Sequence, residues 1–150
     1  NGLGYRGIVV TNQSGIGRGF YTQDAFVELS KRMLDELTCH GARVDAIYAC
    51  PHFYTQKESC CDCRKPKPGM ILAALTKYHL SATLSFLVGD KASDISAANA
   101  AGLNQAALVI KCLTDQKDKN PEAKWHVRDL LEFSQIIQQA NDAEASHTDR

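Results

Sequence analysis

Four residues with the donor chemistry of a closed metal site fall within one short segment: Cys50 and His52 of Cys50-Pro51-His52, and Cys61 and Cys63 of Cys61-Asp62-Cys63. Thiolate and imidazole donors in a Cys3His set suit Zn2+, which takes four such ligands tetrahedrally when its role is structural and leaves no position open for substrate. Two chelating pairs separated by a polar loop can close on one ion. The metal would then order a segment, Phe53 to Ser59, too poor in apolar residues to bury a core. Arg64 and Lys65 follow at once, held between the metal pairs and Pro66 and Pro68. Lys65 suits a point charge against a phosphoryl group, and the planar fork of Arg64 suits a second phosphate or a hydroxyl. The competing readings are unrelated reduced thiols and a solvated basic turn. Cys60 is an alternative ligand, although Cys61 and Cys63 form the better chelating pair; Cys39 and Cys112 read as buried free thiols.

Two further groups sit where apolar runs end. Thr11 and Asn12 close the run Gly7-Ile8-Val9-Val10-Thr11 and open the polar turn Asn12-Gln13-Ser14-Gly15. A hydroxyl and an amide there can bond a phosphoryl oxygen, with Ser14, Gly15 and Gly17 allowing close backbone approach. A plain glycine-containing turn is the alternative. Gly89-Asp90-Lys91-Ala92-Ser93-Asp94 ends another apolar run, and its two carboxylates can hold one Mg2+ directly or through water. Acidic residues also cap helices, and for Asp94 that reading competes strongly.

Strands alternating with helices must position these groups, which predicts an α/β fold with a parallel sheet. Strands are expected at 7–11, 44–50, 84–88 and 106–110. Helices are expected from Thr22 to about His40, 70–78, 95–101 and 129–140. In the longest helix Phe26, Leu29, Met33 and Leu37 recur at helical spacing, Thr22 is the N-cap and Gly41 the stop. Open parallel sheets bind ligands at the carboxyl ends of their strands, where the marked residues lie.

With 150 residues and 44% hydrophobic content, the chain is expected to form one domain over residues 1–140, its zinc loop at about 50–66, followed by a disordered polar tail at 141–150. Seventeen basic residues balance seventeen acidic ones, which argues against a nucleic-acid or anionic-membrane partner. No apolar run approaches the roughly 20 residues of a membrane span. Six cysteines without a signal peptide point to a reduced, cytoplasmic setting.

In chain order, a Thr after one strand, a later Lys and a Gly-Asp-x-x-x-Asp motif resemble the haloacid dehalogenase (HAD) superfamily of phosphohydrolases. Within it, Thr11-Asn12-Gln13-Ser14-Gly15-Ile16-Gly17-Arg18-Gly19, the Cys50-to-Gly69 segment and Val88-Gly89-Asp90-Lys91 look like the branch of D-glycero-D-manno-heptose 1,7-bisphosphate 7-phosphatases. The likeness covers roughly residues 4–140. Histidinol-phosphate phosphatases share the branch and are the nearest alternative. Polynucleotide 3′-phosphatases carry a similar Thr-Asn-Gln turn without such a zinc loop. The resemblance implies a Rossmann-like fold acting on a small sugar phosphate. Thr11 and Asn12, within the Thr11-to-Ser14 turn, would hold the transferring phosphoryl group. Lys65 would neutralise it, Arg64 and Lys91 would grip the rest of the substrate, and Asp90 with Asp94 would bind Mg2+. The family reaction is in-line attack by an aspartate, whose phosphorylated form water then hydrolyses.

The family takes that nucleophile from an Asp-x-Asp on its first strand, and these 150 residues contain no Asp-x-Asp. Asn1 to Gly7 resembles the approach to the family's second strand. The first strand and helix are therefore expected to be missing, the Mg2+ ligand set incomplete and the isolated chain inactive. A homodimer covering the open sheet edge, or a non-catalytic zinc-stabilised binding module, are the other expectations.

Overall fold

The β-branched run Ile8–Asn12 forms strand β1 and the run Ala46–Cys50 forms β2. The two pair in parallel, in a register that sets Thr11 opposite Ala49 and Asn12 opposite Cys50. The computed structural model describes residues 4–53, 61–110 and 120–148, with side chains to residue 141. Asp45 fixes the start of this pair. Its carboxylate accepts the Gly7 N–H at 2.9 Å and meets Arg6 and Arg43 at 3.3 and 3.1 Å.

The chain divides into two compact units, Asn1–Tyr78 and His79–Arg150. In the first, a short helix α1 (Ser14–Gly17) follows β1, and α2 spans Gln23–Cys39. Thr22 caps α2 as expected, its hydroxyl accepting the Ala25 N–H at 3.1 Å, and Gly41 ends it with φ of 78°. The expected apolar face is less buried than its spacing suggests. Phe26 and Leu37 are half-buried, Leu29 is 66% exposed, and no residue of α2 is fully buried. Cys39, read as a buried thiol, is exposed at the end of this helix; Cys60 and Cys112 lie outside the described residues. Helix α3 (Gly69–Tyr78) supplies the buried Met70, Ile71 and Ala74.

The second unit holds a parallel sheet of β3 (Leu87–Gly89), β4 (Ala106–Val109) and β5 (Trp125–Val127), in that order. Helices α4 (Ala92–Ala100) and α5 (Leu130–Thr148) belong to the same unit. Ala107, Val127 and Phe133 form one cluster of its core, with Phe86, Val88, Trp125, Ile136 and Ile137 packed around them, and Ile95, Leu103 and Ile110 are buried as well. The rings of Phe86, Trp125 and Phe133 meet pairwise at 6.2 Å.

The structure departs from the sequence reading at several points here, among them α4, which starts at Ala92 and not at Ile95. Leu84 and Ser85 lie in a turn, closed by the Ser85 N–H to Ala82 carbonyl bond, so β3 starts later than its apolar run. Strand β5 escapes the sequence reading because three residues show no usable alternation. Helix α5 continues past Ala140 to Thr148 instead of yielding to a tail at 141, since Asn141-Asp142-Ala143-Glu144-Ala145 holds no Gly or Pro and is rich in good helix formers.

Candidate functional site

The four candidate metal ligands come from two places in the first unit. Cys50 ends β2, fully buried, and His52 lies two residues on, exposed; Cys61 and Cys63 are half-buried in the segment leading to α3. The four ligand atoms all lie within 4.8 Å of one another. Cys50 Sγ is 3.4 Å from Cys61 Sγ and 3.5 Å from His52 Nδ1, which is 3.3 Å from Cys63 Sγ. Such spacings match four ligands at about 2.3 Å (sulfur) and about 2.0 Å (nitrogen) from one central ion. The cluster can hold a metal ion.

Without a cation the thiols share protons unevenly. Burial, reinforced by the neighbouring Cys50 and Cys61 sulfurs, pushes Cys63 up to about 12. Burial also acts against ionisation of Cys61, but hydrogen bonds from Cys63, Cys50 and the Arg64 and Cys63 backbone outweigh it and lower Cys61 to about 6. Metal uptake at neutral pH must therefore expel a proton from Cys63, and below about pH 6 protons compete for Cys61 as well. Metal affinity is expected to rise with pH between 6 and 8, with proton release on binding. Competition against a chromophoric chelator in weakly buffered solution measures both, and a pH-independent affinity would argue against thiolate ligation.

The segment after Cys63 is folded back on itself and onto β1. Lys67 N–H donates to the Arg64 carbonyl at 2.9 Å, Lys67 Nζ reaches the Cys61 carbonyl at 3.0 Å, and Gly69 N–H bonds the Asp62 carbonyl at 3.0 Å. A Cβ at Gly69 would overlap that carbonyl, which accounts for the glycine. Lys65 is gripped by Asn12 from both sides of its backbone. Asn12 Nδ2 donates to the Lys65 carbonyl and Asn12 Oδ1 accepts the Lys65 N–H, each at 3.0 Å. The Lys65 ammonium donates to the Val10 carbonyl at 2.7 Å, one residue before Thr11.

The turn after β1 is tied to the metal segment as well. Gln13 N–H bonds the Cys50 carbonyl at 2.8 Å and Gly17 N–H the Pro51 carbonyl at 3.0 Å. Arg18 stacks 3.9 Å above the Phe53 ring, and Arg64 Nη1 bonds the His52 carbonyl at 3.3 Å. Thr11, Asn12, Gln13, Ser14, Arg64 and Lys65 are thus brought together with the four metal ligands at the carboxyl ends of β1 and β2. The carboxamide of Asn12, expected to face a phosphoryl group, instead holds the Lys65 backbone with both its ends. Spacing gives no sign of this, because the partners are 53 residues apart.

Asp90, Lys91 and Asp94 lie in the second unit, after β3. Asp90 and Lys91 are exposed, whereas Asp94 is only 4% exposed. Asp94 Oδ2 accepts the Lys91 N–H at 3.0 Å, so one carboxylate oxygen completes the first turn of α4. Gly89 is required beneath it, since a Cβ there would run into the Asp94 side chain. Both carboxylates remain acceptors of the kind a hard divalent cation takes.

Comparison with known proteins places this geometry in context. The HAD-hydrolase-like family model matches residues 62–133. A D-glycero-beta-D-manno-heptose-1,7-bisphosphate 7-phosphatase from Pasteurella multocida is 38% identical over 138 residues, covering 90% of this chain and 75% of the relative. A D-glycero-alpha-D-manno-heptose-1,7-bisphosphate 7-phosphatase from Burkholderia mallei is 46% identical over 111 residues, covering 71% of this chain; the match spans 59% of that relative's length. Among solved structures, a D,D-heptose 1,7-bisphosphate phosphatase from B. bronchiseptica, complexed with magnesium and phosphate, superposes with a TM-score of 0.80 at 29% identity, over 93% of this chain and 77% of that one. Among the described residues no helix is long and apolar enough to cross a membrane.

Proposed function

The chain belongs to the HAD-like phosphatase family that includes the heptose 1,7-bisphosphate 7-phosphatases, and from that premise we propose that it serves removal of the 7-phosphate of D-glycero-D-manno-heptose 1,7-bisphosphate. The observation that carries this reading is the double clasp of Asn12 on the Lys65 backbone, together with the Lys65 ammonium bound to the Val10 carbonyl near the end of β1, one residue before Thr11. Thr11 would donate its hydroxyl hydrogen to the phosphoryl oxygen, and Lys65 would offset the charge that grows there during transfer. Arg64, tethered to the His52 carbonyl, would hold a second phosphate through its fork. The Cys50, His52, Cys61 and Cys63 cluster would hold a structural zinc ion, for which its donors are well suited. Within the second unit Asp90, with Asp94 in support, would hold Mg2+, an ion that supplies Lewis-acid chemistry when bound; a related phosphatase is complexed with magnesium and phosphate, which supports magnesium as the ion. Lys91 would contact the remainder of the substrate. Relatives named for the alpha and beta anomers both match, so either anomer is a reasonable probe.

The 150 residues hold no Asp-x-Asp, and this favours a second reading in which the isolated chain binds sugar phosphate without turning it over. Incubation with the heptose bisphosphate and Mg2+, followed by phosphate release and by calorimetric titration, tests both. Binding that weakens in Lys65→Ala, with no release above that control, is the expected result. Release well above the control would sink the prediction of inactivity, and absence of binding would sink the substrate assignment.

A further inference from the structure

Three side chains form a hydrogen-bonded chain at the end of β1. Tyr21 Oη donates to Gln13 Oε1 at 2.5 Å, and Gln13 Nε2 donates to Thr11 Oγ1 at 3.0 Å. Each member is held by its own surroundings. The Gln13 backbone bonds the Cys50 carbonyl, Thr11 lies in the β1–β2 ladder, and Tyr21 directly precedes the cap of α2. The Tyr21 ring lies over Gly15, where a Cβ would overlap it, so the glycine in this turn is what admits the ring. Gln13 and Tyr21 also line a cavity of about 310 Å3 with Ala25, Phe26 and Leu29, so their bond stands at an accessible surface and not within packed core.

The direction of the chain matters for what Thr11 can do. A threonine hydroxyl has one hydrogen and two lone pairs. By accepting from Gln13 it spends a lone pair and keeps its hydrogen for another acceptor. A phosphoryl oxygen of a phosphate dianion offers only acceptors, so a turn that binds one needs donors aimed at it. If the Gln13 carboxamide turned over, its oxygen would take the Thr11 hydrogen and the donor would be lost. After such a reversal the Tyr21 hydroxyl would have to accept from Nε2, and a phenol, whose lone pair is drawn into its ring, is a better donor than acceptor, so donation to Oε1 favours the observed orientation.

We propose that Tyr21 is a positioning residue which, acting through Gln13, keeps the Thr11 hydroxyl free as a donor to a bound phosphoryl group. The assignment rests on the phosphate reading given above, and it names a residue outside the set that contacts substrate.

Calorimetric titration of the zinc-loaded chain with inorganic phosphate is the test. Tyr21→Phe removes one oxygen and should weaken phosphate binding about five-fold, the worth of one hydrogen bond, while the thermal unfolding temperature stays near wild type. In a Thr11→Val background the same substitution should change affinity little, because the donor it protects is already gone. A merely structural tyrosine would give equal losses in both backgrounds, and that additivity would overturn the proposal, as would wild-type affinity in Tyr21→Phe. Should Thr11→Val and Lys65→Ala themselves leave phosphate affinity unchanged, the phosphate reading falls together with the relay. If those two weaken binding and Tyr21→Phe does not, only the relay falls.

Discussion

Stripping zinc from the chain with a chelator should lower its unfolding temperature sharply and abolish phosphate binding in the same step. Structural zinc sites contribute apparent binding free energies of about 10–16 kcal/mol, comparable with the whole stability of a small domain at about 5–15 kcal/mol. The first unit has little else to rely on. Among its described residues only Cys50, Met70, Ile71 and Ala74 are fully buried apolar groups, and α2 contributes none. Cys50 is both a core residue and a member of the cluster that can hold a metal ion, so loss of a bound ion would leave its thiol without that partner at the carboxyl end of β2. Circular dichroism melts with and without chelator, followed by zinc add-back, measure the effect. Cys63→Ser should reproduce most of it, and Cys39→Ser, at an exposed site away from the cluster, should not. Melts that are indifferent to chelation would remove zinc from this account.

Asn12→Ala is expected to have the next largest effect, on stability and on phosphate affinity together. It deletes two hydrogen bonds to the Lys65 backbone in a half-buried place, each worth about 0.5–1.5 kcal/mol. Without the clasp, the Lys65 backbone is free to move away from β1 and carry its ammonium with it. Phosphate affinity should drop about tenfold, equivalent to about 1.4 kcal/mol. Asn12→Asp separates the two ends of the carboxamide. It can still accept the Lys65 N–H, but it sets a carboxylate oxygen against the Lys65 carbonyl, so it should be nearly as harmful. In combination with Lys65→Ala, the affinity losses should fall short of their sum, because both act through the same ammonium. Fully additive losses would mean that Asn12 meets the ligand by itself.

The contrast between these two sites shows what a sequence carries openly. The metal cluster was legible because its ligands come in tight pairs, and coordination chemistry restricts which residue types can serve. The Thr22 cap and the Gly41 stop were legible because each acts within one turn of its own helix. The clasp was not, since Asn12 and Lys65 meet only once β1 and the metal segment have folded together. Tyr21 was hidden for a different reason: an aromatic residue before a helix cap looks like any other loop residue until Gly15 is seen beneath its ring. The helix itself was legible in the spacing of Phe26, Leu29, Met33 and Leu37, but their exposure was not, because periodicity reveals which residues share a face and not whether anything covers that face.

The bonds from Gln13 N–H to Cys50 and from Gly17 N–H to Pro51 join the turn after β1 to the backbone that bears the first two metal ligands. Their consequence is thermodynamic reciprocity. If an ordered metal segment raises the affinity of the turn for phosphate by some factor, bound phosphate must raise the affinity of the segment for zinc by that same factor. If the proposed zinc and sugar phosphate both bind, a chain saturated with sugar phosphate would surrender zinc to a chelator less readily than an empty one, and ligand supply would help decide how much of the protein keeps its metal when zinc is scarce.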